Sequence, residues 1–302
     1  MKRILSLVLL CALVLSVLPA AAEDATYKTL YSSEVTTLNY LITTTTSEFA
    51  VAANVIDTLV EYDRYGQVQP SLAESWERSE DGLTWTFHIR PGQKWVNGAG
   101  EEYAEVTAND FVASAKYILD AQNASSSANI LYSVIAGAEA YYAGTATPEE
   151  GATPAPKTEW DTVGIKALDD YTVEYTLNSP VPYFLSMTTY VCFMPVNEQF
   201  LLEKGAGFGL ATGNDTLLFN GAYVISEFKP QERRVYTKND ANWDADSVFI
   251  QTIEQIYNKE AVTLSPELYM RGEIDAATID SAIAKDWLAD PEKADLIRPV
   301  RQ

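Results

Sequence analysis

Between Thr84 and Ile89 apolar and polar side chains alternate: Trp85, Phe87 and Ile89 fall on one side, Thr84, Thr86 and His88 on the other. A period of two predicts a strand with one buried face. Ser79-Glu80-Asp81-Gly82 before it and Pro91-Gly92 after it have turn chemistry. Leu72, Trp76 and Trp95 add large apolar surface close by. Upstream, Thr29 to Val35 reads as a first strand. Phe49, Ala52, Ala53, Ile56, Leu59 and Val60 then recur at helical spacing, with Ser47 placed to cap the helix. Thr43 to Thr46 therefore precede a helix N-terminus, where hydroxyls and free N–H groups either complete a capping loop or face a ligand. Glu61 to Gln67 reads as a strand and turn leading into the alternating block.

Downstream, Thr107 to Asp110 resembles a capping box with Asp in place of Glu. Phe111, Val112, Ala115, Ile118 and Leu119 follow at helical spacing. Residues 144–158 are rich in Pro, Gly, Thr and Ala and predict an exposed loop. Val163 to Leu177 reads as a hairpin turning at Asp169-Asp170. Ser179 to Pro182 breaks the chain before the apolar Tyr183-Phe184-Leu185, and Gly205 to Gly213 is a glycine-spaced loop. Val224 to Phe228 and Arg233 to Thr237 predict a second hairpin, Ile250 to Tyr257 a strand, and Thr263 to Arg271 a helix stopped at Gly272. Interleaved strands and helices of this kind predict an α/β protein with mixed sheets.

Composition narrows the function. With 302 residues and 47% hydrophobic content, the chain is long enough for one large or two ordinary domains. A formal net charge of -21 repels phosphate backbones, so no nucleic-acid partner is expected. Lys2 and Arg3, the apolar run from Ile4 to Leu18, and Ala20 to Ala22 form an export leader over residues 1–22, with Glu23 as the first mature residue. Beyond it no stretch approaches the roughly 18 apolar residues of a membrane span. Cys11 lies inside the apolar run behind Leu10, where a lipoprotein leader has a small residue, so a lipid anchor is not supported. Cys192 sits in an apolar run and reads as a buried thiol; one mature cysteine allows no internal disulfide. The single histidine, His88, lies on the polar strand face. There is no HExxH, cysteine cluster, GxSxG, GxGxxG or P-loop. No catalytic residue, metal ligand or cofactor is assigned, and the chain is not read as an enzyme.

Three stretches carry a more specific resemblance: LAESWERSEDGLTWTFHIRPGQKW from Leu72, VTANDFVASAKYILD from Val106, and NGAYVI followed by KNDANWD and GEID from Asn220 onward. In residue types and order they resemble the bacterial extracellular solute-binding proteins of family 5, receptors of peptide ABC importers. The resemblance covers essentially all of the mature chain, residues 144–158 least. It implies a periplasmic-binding-protein-like (type II, cluster C) lobe with a mixed sheet. Lobe I would comprise residues 23–57 and 179–302, with a subdomain of residues 58–178 inserted in it. Family members are longer, so the sequence reads as truncated, with the second lobe and its amino-terminus-binding Asp missing.

The implied function is capture of oligopeptides or dipeptides outside the membrane and delivery to an ABC permease served by a separate ATPase. The receptor would be a monomer at the periplasmic or cell-envelope face. Resemblance places first-lobe contacts at Thr44, Thr45 and Thr46 and at Ala277, Thr278 and Ile279. The same fold in relatives takes nickel chelates, haem or oligosaccharides, and six tryptophans with 18 tyrosines would suit sugar stacking. A secreted carboxylate hydrolase and a structural or chaperone-like envelope protein are the readings outside this class.

Overall fold

Period-two stretches form the strands and helically spaced stretches the helices. The structure, a computed structural model, describes residues 25–151 and 153–298. The leader of residues 1–22, its cleavage site and Cys11 lie outside the described residues. The first half of the chain runs β1 Thr26–Tyr31, α1 Thr46–Val55, β2 Val60–Tyr62, β3 Val68–Pro70, β4 Ala73–Arg78, β5 Thr84–Ile89, β6 Lys94–Val96, β7 Glu102–Glu105, α2 Ala108–Leu119, α3 Ala128–Tyr132 and α4 Ala138–Thr145. The second half runs β8 Ile165–Asp169, β9 Thr172–Thr176, α5 Phe184–Met187, α6 Glu198–Lys204, β10 Tyr223–Lys229, β11 Arg233–Lys238, β12 Thr252–Tyr257, α7 Ala261–Met270 and α8 Ser281–Ala289.

One sheet has the order β1-β12-β11-β10. It is mixed: β1 runs parallel to β12, with Thr26 opposite Thr252 and Tyr31 opposite Tyr257, while β11 lies antiparallel to both of its neighbours, β12 and β10. The expected first strand, Thr29 to Val35, is displaced; the strand is Thr26–Tyr31. The chain leaves the sheet ahead of Glu34, whose carboxylate accepts the Tyr31 hydroxyl (2.9 Å), the Val35 N–H (3.0 Å) and the Gln231 N–H (2.8 Å).

A second sheet has the order β4-β5-β9-β8, antiparallel throughout. The alternating block is its inner strand β5, with Trp85, Phe87 and Ile89 buried. Phe87 meets Tyr175 edge-on at 5.8 Å, and Trp85 lies 5.7 Å from Phe184. The predicted hairpin is β8–β9. Of the expected loop, residues 144–158, Gly144 and Thr145 instead complete α4 and are half-buried, while residues from Ala146 to Lys157 are exposed wherever described.

Two short ribbons, β2-β3 and β6-β7, complete the strands. Val96 in β6 and Phe219, ahead of β10, exchange N–H···O bonds of 2.8 Å in both directions, tying the β6-β7 ribbon to the segment that enters the first sheet. α2 begins at the expected capping box. Asp110 accepts the Thr107 N–H and the Trp95 indole N–H, each at 2.9 Å. One carboxyl thus caps the helix and holds the aromatic anchor. Burial pushes the Asp110 pKa up to about 7, against the opposing pull of these two donors.

α1 departs from expectation at both ends. It starts at Thr46, with Thr45 rather than Ser47 at the N-cap position and no side-chain cap bond there. It stops at Val55, so Leu59 and Val60 of the expected stripe fall in the following turn and in β2. Val51, Ala52 and Val55 face the core, whereas Phe49 is only half-buried and Ala53 is exposed. The apolar stripe is wider than the core it covers, and its outer margin remains at the surface.

Candidate ligand-binding face

Thr44 to Thr46 are held out by a clasp centred on Glu48. This buried side chain accepts the Thr36 N–H (2.9 Å), the Thr36 hydroxyl (2.7 Å) and the Thr37 N–H (3.2 Å), and the Thr43 hydroxyl donates to its other oxygen. Burial raises the Glu48 pKa, but the hydrogen bonds from Thr43, Thr36 and Thr37 outweigh it and hold the carboxyl below its ordinary value. The Thr43 hydroxyl also accepts the Thr45 N–H at 3.0 Å. The segment is pinned further along: Leu38 N–H donates to Gly209 C=O at 2.7 Å, and the Ser125 hydroxyl donates to Leu41 C=O at 2.6 Å. Gly209 has φ +66°, and a Cβ there would collide with the Asn39 backbone. Thr44, Thr45 and Thr46 are all exposed. Their hydroxyls make no hydrogen bond among the described residues.

Ala277 to Ile279 are fixed at both ends. Gly272, at φ +71°, ends α7, and Ile274 is buried. Asp275 then hooks the chain to the outer edge of β1: its N–H donates to Lys28 C=O (2.9 Å) and its carboxylate accepts the Lys28 N–H (2.7 Å). Asp280 caps α8, accepting the Ala282 and Ile283 N–H groups at 2.9 and 2.8 Å. Between hook and cap the chain has no regular structure. The main-chain groups of Ala277, Thr278 and Ile279 have no hydrogen-bond partner among the described residues. No hydrogen bond among those residues joins this stretch to Thr44–Thr46.

A third feature was not anticipated. The outer margin of α1 borders a shallow trough made of two neighbouring depressions with shared walls. The larger, about 300 Å³, is lined by Tyr62, Ile130, Ser186, Met187, Thr189 and Tyr190. The smaller, about 190 Å³, shares Tyr62 and Thr189 and adds Ala53, Ile56, Asp57 and Glu61. Phe49 braces Tyr190 edge-on at 5.2 Å. Asp57 accepts the Asn242 amide (2.8 Å) and the Trp243 indole N–H (3.0 Å), while its own N–H donates to Asn220 (3.0 Å). Burial pushes its pKa up to about 7; the fields of Glu61 and Asp244 add to this and the two donors oppose it. Glu61 is raised by burial and then by Asp244. The signal in the sequence was an acid closing an apolar stripe, together with the donors Asn242 and Trp243 in the KNDANWD block.

Elsewhere, His88 is half-exposed, 4.0 Å from Glu77. Cys192 is buried, which pushes its thiol pKa well up and leaves it inert at neutral pH. Among the described residues no group of three His, Cys, Asp or Glu side chains is arranged to hold a metal. No helix there is long and apolar enough to cross a membrane.

A mixed-sheet α/β unit with an antiparallel sheet beside it fits the periplasmic-binding-protein-like class. Residues 67–300 match the family model described as bacterial extracellular solute-binding proteins, family 5 Middle, and the chain belongs to that family. It is 39% identical over 231 residues to the oligopeptide-binding protein AmiA of Streptococcus pneumoniae, an alignment covering 76% of this chain and 33% of AmiA. The substrate-binding domain of an oligopeptide ABC transporter from Bacillus anthracis superposes with a TM-score of 0.76 at 30% identity, over 90% of this chain and 48% of that one. Listeria monocytogenes OppA bound to peptide superposes with a TM-score of 0.76 at 26% identity, over 90% and 49%. The chain thus spans about half the length of these solved relatives and a third of AmiA. The family and these relatives are binding proteins.

Proposed function

We propose that this chain supplies one face of an extracytoplasmic peptide receptor that hands oligopeptides or dipeptides to an ABC permease driven by a separate ATPase. The observation that carries this reading is the stretch Ala277–Ile279, clamped by Asp275 on β1 and by Asp280 on α8, with its N–H and C=O groups unspent. Main chain presented in this way pairs with an extended peptide regardless of its side chains, which suits a tolerant receptor. Thr44, Thr45 and Thr46 form the second contact, offering hydroxyls on a segment that Glu48 makes rigid. The organisation that goes with this reading is a lobe of residues 23–57 and 179–302 with residues 58–178 inserted. The receptor acts as an exported monomer at the periplasmic or cell-envelope face.

Photocrosslinking tests the proposal without requiring tight affinity. A short peptide carrying a benzophenone side chain is irradiated with the purified protein, and adducts are mapped by mass spectrometry. Adducts at Thr44–Thr46 and Ala277–Ile279, competed away by unlabelled peptide, are expected. Labelling of these stretches by an oligosaccharide probe, with the peptide probe inert, would overturn the reading.

A further inference from the structure

We propose that the trough beside α1 is a binding site for a small organic cation with an apolar body. One end of the trough is built for the apolar part. Tyr62, half-exposed, and Tyr190, braced by Phe49, present aromatic surface beside Met187 and Ile130. The other end holds Asp57 and Glu61 on its wall, with Asp244 near enough to act on both. None of these three carboxyls has an ion-pair partner among the described residues. Asp57 takes its hydrogen bonds from neutral donors, Asn242 and Trp243. Arg90 stacks on the Trp243 ring at 4.4 Å and its Nε donates to Ser71 C=O at 2.8 Å, and it makes no ion pair with any of the three among the described residues.

A desolvated carboxyl, Asp57, and the more exposed Glu61 beside it, neither with a counter-ion among the described residues, favour an incoming cation, and tyrosine faces favour the same charge. An anion meets repulsion, and a neutral ligand leaves the acidic end unused. The two depressions together fall near the lower end of the usual range for small-ligand sites, roughly 300–1,000 Å³. The site does not depend on the peptide reading, because it shares no residue with Thr44–Thr46 or Ala277–Ile279.

The Trp243 indole N–H, bonded to Asp57, provides a local probe. Phenethylammonium is titrated into the protein at about pH 8, where Asp57 is mostly ionised, and the Trp243 indole resonance is followed by NMR, assigned through Trp243→Phe. A saturable shift is expected, with phenethyl alcohol binding roughly tenfold more weakly. Glu61→Gln, at an exposed position, weakens the amine severalfold and leaves the alcohol unchanged, while Tyr62→Ala weakens both. Lowering the pH to about 5.5 protonates Asp57 and weakens the amine, which stays cationic throughout. Equal affinity for amine and alcohol, an unaltered Glu61→Gln protein, or an unmoved Trp243 signal would each overturn the proposal. Peptide crosslinking at the two stretches named above is unaffected by any of these results.

Discussion

Asp57 shows how far one side chain is taken from its aqueous behaviour by position alone. Its folded pKa of about 7 stands above the ordinary 3.8 because burial and the carboxyls of Glu61 and Asp244 disfavour the charged form. Between those values the folded state holds a proton that the unfolded state has released. The stabilisation is therefore complete below the ordinary value and is lost as pH rises through about 7. Asp110, raised to about 7 by its own burial, contributes in the same direction. Stability in urea is expected to fall as pH is raised from about 4.5 to about 7, by up to roughly 1.4 kcal/mol per pH unit for each such group. Asp57→Asn keeps an acceptor for Asn242 and Trp243 but cannot titrate, so its slope is shallower by one group's share. An unchanged slope would show that Asp57 is ionised in the folded protein at these pH values.

At the scale of the element, α1 does two jobs with two faces. Val51, Ala52 and Val55 anchor it, while Glu48 in its first turn reaches back to the strand exit at Thr36, Thr37 and Thr43. Glu48→Ala leaves several donors unsatisfied in a partly buried place and is expected to cost about 2–4 kcal/mol in urea unfolding. It should also speed amide exchange at Thr36 and Thr37 selectively. Glu48→Gln, which preserves an acceptor, should cost about 1 kcal/mol. If the Ala variant matched the wild-type exchange rates, the clasp would not be what orders Thr44–Thr46.

At the scale of the whole molecule, charge is in surplus. Ion pairs such as Arg233–Glu227 and Lys229–Glu227, both 2.6 Å, gather on the β10–β11 hairpin, but a net -21 remains. Raising salt from about 20 mM to about 300 mM shortens the screening length from roughly 20 Å to roughly 6 Å, weakening long-range repulsion more than close pairs. The melting temperature is expected to rise by a few degrees over that range, as measured by calorimetry. A fall would mean that local pairs outweigh the general repulsion.

The sequence by itself determined the elements whose evidence is local. The β5 alternation, the Asp110 cap on α2, the β8–β9 and β10–β11 hairpins and the stop at Gly272 all rest on contacts within a few residues, and the family motifs lie on those elements. Tertiary structure decided what depends on distant partners. Glu34, just past β1, accepts the Gln231 N–H from the β10–β11 turn at 2.8 Å, and of the stripe around α1 Phe49 and Ala53 stay towards the surface while Ala52, Ile56, Leu59 and Val60 are buried. Asp57 meets Asn242 and Trp243, and Lys28 meets Asp275, only once the chain has returned from far along the sequence. Periodicity records which residues prefer burial or regular backbone geometry; which surfaces remain uncovered is settled only when every other segment has taken its place.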